Sequence, residues 1–106
     1  MEYDIRKGHY AEIEGDGLKR IMTDLFMKAS QEGNSVISSY GALARIEAKI
    51  LSKSSLSVNT ESDPSVPNDV ASDTIRRFNL FLERATGFTS KQRRDRLQKK
   101  AKEGKL

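Results

Sequence analysis

Hydrophobic and polar residues alternate at the start of the chain, with Tyr3 and Ile5 pointing one way and Asp4 and Arg6 the other. A period of two is what a half-buried strand requires, so residues 2–8 are expected to form one. The period then lengthens. Leu18, Ile21, Met22, Leu25 and Phe26 recur at i, i+3, i+4, i+7 and i+8, with Lys19, Arg20 and Asp24 off the stripe. That pattern predicts an amphipathic helix, with Asp16 placed to cap it.

Glu32-Gly33-Asn34 is a turn signal, because Gly and Asn accept positive φ at little cost, and it leads into a strand over Val36–Tyr40. The stretch from Gly41 to Lys53 fits two periods: Ala44, Ile46, Ala48 and Ile50 alternate with Arg45, Glu47 and Lys49, yet Leu43, Ile46 and Ile50 also satisfy helical spacing. Its neighbours favour strand. Leu56, Val58 and Thr60 alternate after the serine-rich turn at 52–55, so three strands would form a meander.

Residues 61–69 hold both prolines and end in Asn68-Asp69, which predicts a loop closing in a helix cap. In the helix that follows, Ala71, Ile75, Phe78, Phe81, Leu82 and Ala85 are expected to line the inner side, leaving Arg76, Arg77, Glu83 and Arg84 to solvent. Gly87 suits a left-handed residue beyond the last turn, with Phe88 packing back on Leu82. Thr89 and Gln92 then have capping-box spacing for a last helix from Ser90 towards Lys102. Cations surround most of its circumference, so only a narrow line through Leu97 and Ala101 is left for packing, and the helix is expected to dock lightly or project.

Composition narrows the possibilities. A chain of 106 residues, 36% hydrophobic and 32% charged, suits one domain and excludes a large multidomain enzyme. The net charge of +4 is unevenly spread: residues 1–90 carry 11 basic and 13 acidic side chains, residues 91–106 carry 8 and 2. With no cysteine, disulfide scaffolds, thiolate zinc sites and thiol catalysis are excluded. No apolar run approaches the roughly 20 residues of a membrane span, and no signal-peptide core is visible. A cytoplasmic protein without a membrane partner is the expectation.

The segments SYGAL (39–43), SDP (62–64) and TIRRFNLFLERATGFTSKQRRDRL (74–97) resemble a small archaeal family of uncharacterised proteins, most specifically through the RRFNLFLERATGFT block. The resemblance implies a two-layer α+β fold similar to one half of a TATA-box-binding protein, and it favours strand for the ambiguous segment. It implies no activity. TATA-box-binding proteins push Phe wedges between base steps from the open face of a curved sheet. Here Phe26, Phe78, Phe81 and Phe88 fall on helices or at a helix end, and the outward positions of the central strand are Arg45, Glu47 and Lys49, so that wedge chemistry does not transfer.

The strongest candidate for function is the basic cluster Lys91, Arg93, Arg94, Arg96, Lys99, Lys100 and Lys102, with Lys105 beyond it. Two readings fit. Its cations can neutralise phosphates, and about 4 simultaneous contacts would give a slope of log K on log salt near −3.6 for duplex DNA. Equally, a charge run can be a solvated tail that associates loosely with the acidic body. Nothing in the cluster has base-reading geometry, so nucleic-acid contact would carry little sequence specificity. Arg76, Arg77 and Arg84 can extend a basic surface, but the structural reading, alkyl stems covering a helix edge, is favoured. A helix-turn-helix reading of the last two helices is weakened by their short linker and by the poor apolar face of the second.

Other candidates favour structural roles. His9 is the sole histidine and lacks partners for zinc. Asp63, Asp69 and Asp73 match no calcium-loop spacing and suit turns and a helix N-terminus. Glu12, Glu14 and Asp16 suit a surface loop, and Tyr3, Tyr10 and Tyr40 suit packing. No nucleophile elbow or phosphate-cradling glycine loop is present. The resulting expectation has four parts. The first is an α+β domain over 1–88, a two-layer antiparallel sheet against two amphipathic helices in β-α-β-β-β-α order, able to fold alone. The second is a basic helix or tail over 89–106. The third is a non-enzymatic role without cofactor or metal. The fourth is contact with nucleic acid or, alternatively, with a protein partner or a second copy through the sheet face or an edge strand.

Overall fold

The two-residue period at the N-terminus becomes a strand, but a short one. The computed structural model describes residues 1–102 and 104, and in it β1 is confined to Glu2–Asp4 rather than running to residue 8. Beyond Asp4 the backbone turns to other partners: the Ile5 amide donates to the Ser54 carbonyl at 2.9 Å and the Arg6 amide to Thr86 at 2.8 Å. A 3-10 turn at His9–Glu12 follows.

Helix α1 (Gly17–Phe26) buries Leu18, Ile21, Met22 and Phe26 and half-buries Leu25, as its spacing predicted. Its start differs in mechanism. Asp16 stands at the N-cap but makes no side-chain capping bond. What the position demands is Gly17, where a Cβ would lie 2.3 Å from the Glu12 carbonyl oxygen.

Strands β2 (Ser30–Glu32) and β3 (Ser35–Tyr40) form a hairpin about Gly33-Asn34. The turn was legible, but the strand before it was not: Ser30, Gln31 and Glu32 are all exposed, so no apolar alternation marks them. Strands β4 (Leu43–Ser52) and β5 (Ser55–Ser62) complete the meander, and all five strands pair antiparallel in the order β1-β5-β4-β3-β2. The ambiguous segment is therefore strand, and the order is β-α-β-β-β-β-α with one strand more than expected. Ala44 does not continue the inward set of Ile46, Ala48 and Ile50. The register shifts between Leu43 and Arg45, Ala44 is exposed, and Leu43 takes the core-facing place.

Helix α2 (Asn68–Thr86) begins one residue earlier than a cap at Asn68 would allow and two earlier than a cap at Asp69: Pro67 occupies the N-cap and no side chain caps it. Its inner face consists of Thr74, Phe81, Leu82, Ala85 and Thr86, with Phe78 half-buried. Ile75, expected inside, is 63% exposed. Thr74 takes its place because the β3–β4 turn packs there: Thr74 Oγ1 accepts the Ala42 amide at 3.0 Å and donates to the Val70 carbonyl at 2.7 Å. α1 and α2 cover one sheet face around Ile13, Met22, Phe26, Ile46, Leu56 and Phe81, each burial contributing about 1.5–3 kcal/mol. On the opposite face Arg45 and Lys49 are exposed, as the alternation predicted, and Arg45 pairs with Glu47 at 3.3 Å. The fold is thus α+β in two layers, with α3 (Ser90–Lys102) at the end.

Candidate functional site

The chain leaves α2 as its residues foretold. Gly87 is left-handed (φ 80°), and its amide donates to the Glu83 carbonyl at 2.9 Å. The capping box then forms reciprocally: the Thr89 amide donates to Gln92 Oε1 at 2.9 Å and the Gln92 amide to Thr89 Oγ1 at 3.2 Å. These two stops fix where α3 departs.

What holds α3 to the body is a row of cations. Arg93, Arg96, Leu97 and Lys100 recur at i, i+3, i+4 and i+7, the spacing of one helix face. Arg93 donates to the Phe88 carbonyl at 2.6 Å, to Ser90 Oγ at 3.1 Å and to Asn79 Oδ1 at 3.3 Å. Arg96 donates twice to Asp4 Oδ2, at 2.9 and 3.1 Å, and its guanidinium lies 4.5 Å from the centre of the Phe88 ring. Lys100 donates to Asp4 Oδ1 at 2.6 Å. Both Asp4 oxygens are thereby engaged by α3. Burial alone would raise the Asp4 carboxyl, but the Lys100 and Arg96 hydrogen bonds and charges together outweigh it and hold its pKa below the ordinary value. Burial lowers the Arg93 pKa, opposed by the charges of Tyr3 and Glu83, and raises that of the Tyr3 phenol, opposed by Arg93.

The basic cluster is therefore divided. Arg93, Arg96 and Lys100 are spent on the protein itself, whereas Lys91, Arg94, Lys99 and Lys102 are exposed and make no ion pair among the described residues. Lys105 lies outside the described residues. Between α3, α2 and β1 is a cavity of about 300 Å³ lined by apolar Phe78, Leu82, Phe88 and Leu97, together with Tyr3 and Arg94. Sequence reasoning missed Asp4 and Asn79 as partners of α3. The alternation marks Asp4 only as an outward strand residue, and nothing local to it announces a partner at the far end of the chain.

The remaining candidates are structural. Arg77 donates to the Leu25 carbonyl at 3.1 Å and lies 5.2 Å from the Tyr40 ring centre, while Arg84 pairs with Asp24 at 3.2 Å. Both bring positive charge to the C-terminal end of α1. Arg76 stays exposed and pairs with Asp73 at 2.6 Å. His9 Nε2 donates to the Arg84 carbonyl at 2.6 Å, tying the 3-10 turn to the end of α2. Asp63 accepts from the Ser65 amide and hydroxyl in the proline loop, Asp69 lies in the first turn of α2, and Asp73 accepts from the Tyr40 hydroxyl. Tyr3, Tyr10 and Tyr40 pack against the core. Among the described residues no group of three or more His, Asp or Glu could hold a metal ion, and no helix is long and apolar enough to cross a membrane.

No curated protein matches the chain. Among solved structures it is similar to hypothetical protein TA0095 from Thermoplasma acidophilum, known from an NMR solution structure. Identity is 30%, the TM-score is 0.64, and the match covers 91% of this chain and 95% of that one. That neighbour is archaeal and uncharacterised, as the resemblance of the RRFNLFLERATGFT block implied. Residues 1–99 match the family described as the domain of unknown function DUF5611, and the chain belongs to that family.

Proposed function

We propose that the protein is a non-enzymatic binding module whose α3 contacts the nucleic-acid backbone with little sequence specificity. One observation carries this reading: Lys91, Arg94, Lys99 and Lys102 project from a helix whose other cations are neutralised or tied to the body. The docking contacts preorganise the exposed charges, so phosphate binding does not have to order a loose tail. About 4 free cations set the salt dependence, a slope of log K on log salt near −3.6 on duplex DNA. The likeness to half of a TATA-box-binding protein is part of this proposal, supported by the two-layer order and one uncovered sheet face. Its wedge chemistry is not, because Phe26, Phe78, Phe81 and Phe88 all serve helices or their ends.

The test is fluorescence anisotropy with DNA and RNA at several ionic strengths, on the full chain and on a variant carrying Lys91→Gln, Arg94→Gln, Lys99→Gln and Lys102→Gln. The expected result is loss of salt-sensitive binding in the variant. Equal affinity in both proteins would refute the reading. A second reading, pairing with a protein or another copy through an edge strand, is favoured by β2, which is exposed along its length and pairs only with β3. Light scattering at varied concentration checks the homodimer.

A further inference from the structure

We propose that the open cleft between α3, α2 and β1 is a binding site for a small amphiphilic carboxylate, its apolar body against Leu82 and Phe88 and its anionic end at Arg94. This goes beyond the nucleic-acid reading and does not depend on it. The lining divides by chemistry. Leu82 is buried and Phe78 and Phe88 are half-buried, while Leu97 and Arg94 are exposed and form the rim. An apolar floor with a few polar groups at one end is the usual make-up of a ligand pocket.

The balance of charge favours an anion. The lining holds the carboxylates of Glu2 and Asp4, but Asp4 is neutralised by Arg96 and Lys100, Glu2 is exposed on β1, and the cations Arg93, Arg94, Arg96 and Lys100 outnumber them. Arg93 is committed to Phe88, Asn79 and Ser90, and Arg96 and Lys100 are committed to Asp4. Arg94 alone among the lining cations makes no hydrogen bond within the described residues, and one guanidinium fork matches one carboxylate. The Tyr3 hydroxyl, also in the lining, makes no hydrogen bond within the described residues and offers a second donor. A volume of about 300 Å³ lies at the small end of pocket sizes and suits a molecule of about ten non-hydrogen atoms. A medium-chain fatty acid or an arylalkanoate has that size and that single charge.

The experiment is an amide-resolved NMR titration of the full chain with octanoate, with octanamide and inorganic phosphate as comparators. Octanoate is expected to give saturable shifts at Tyr3, Leu82, Phe88 and Leu97 at about 1 mM. Octanamide is expected to bind about tenfold more weakly, and phosphate, which the exposed α3 cations can attract, to leave the amides of the apolar floor, Leu82 and Phe88, unmoved. Arg94→Gln should reduce octanoate affinity to that of octanamide, and Leu97→Asp, a rim substitution that spares the core, should abolish octanoate binding. The proposal is overturned by an absence of saturable shifts, by equal affinity for octanamide, by phosphate reproducing the shifts at Leu82 and Phe88, or by an Arg94→Gln variant that binds octanoate as the native chain does.

Discussion

Asp4 and Lys100, 96 positions apart, meet at 2.6 Å, and the other carboxylate oxygen of Asp4 takes two bonds from Arg96. One acidic residue on the first strand thus anchors the middle and the end of the last helix. Asp4→Asn removes the charge that both cations answer. Because the pairs are partly exposed, the stability lost should stay below about 1 kcal/mol. Local consequences are larger: amide hydrogen exchange along α3 should quicken while β4 and β5 remain protected. If nucleic acid binds α3, two freed cations should steepen the salt slope from near −3.6 to about −5.4. An exchange pattern unchanged in α3 would refute the anchoring role.

The same contact sets a pH dependence. The folded Asp4 carboxyl titrates below its ordinary value of 3.8. Its contribution is therefore complete above that value and disappears as pH falls through the lower folded one. Docking of α3 should accordingly persist at neutral and mildly acidic pH and loosen only below 3.8. Asp63 and Asp73 shift in the same direction, the first through its bonds to Ser65 and the second through the Tyr40 hydroxyl and Arg76. The α3 amides distinguish them: followed by NMR from pH 6 to about pH 2, they should show a transition that Asp4→Asn removes.

Local pattern and long-range pairing account for what was legible in the sequence. The stops at Gly87 and Thr89–Gln92 were readable because each is closed by residues a few positions away. The stripe of α1 was readable because spacing alone decides which side is apolar. Ile75 misled because a wheel ranks residues by hydropathy, whereas the turn at Ala42 needed a hydroxyl from Thr74. The strand β2 left no trace because its side chains are all polar and exposed. In α3 the cluster itself was evident, but its division into tied and outward cations depends on Asp4 and on the Phe88 carbonyl. Charge counting treats those seven side chains alike, although their surroundings differ.

Gly41 should tolerate no side chain. It sits at φ 51°, and a Cβ there would fall 2.1 Å from Thr74 Oγ1, the atom that accepts the Ala42 amide. Gly41→Ala therefore combines left-handed strain with displacement of a buried acceptor, and should cost about 2–4 kcal/mol in urea unfolding. Gly33, at φ 61° with nothing within 4 Å of the same position, isolates the strain. Gly33→Ala should cost about 1 kcal/mol. Equal losses at the two sites would show that the contact with Thr74 has no energetic weight.

Met27 is the converse case, a side chain where glycine would fit better. It closes α1 at φ 68°, its amide donating to the Thr23 carbonyl at 2.8 Å, and it is 73% exposed, so its side chain adds little burial. Holding a residue with a Cβ in that conformation costs about 1–2 kcal/mol. Glycine removes this cost but gives the unfolded chain more freedom, which takes back about 0.4–1 kcal/mol. Met27→Gly should therefore stabilise the protein by about 0.5–1 kcal/mol, a rise of about 3 °C or more in Tm. Met27→Ala discards the same exposed methionine but keeps the strained backbone, so its Tm should stay near that of the native chain. Thermal unfolding of the two variants side by side separates the causes, and an Ala variant as stable as the Gly variant would assign the gain to the exposed side chain instead of the backbone.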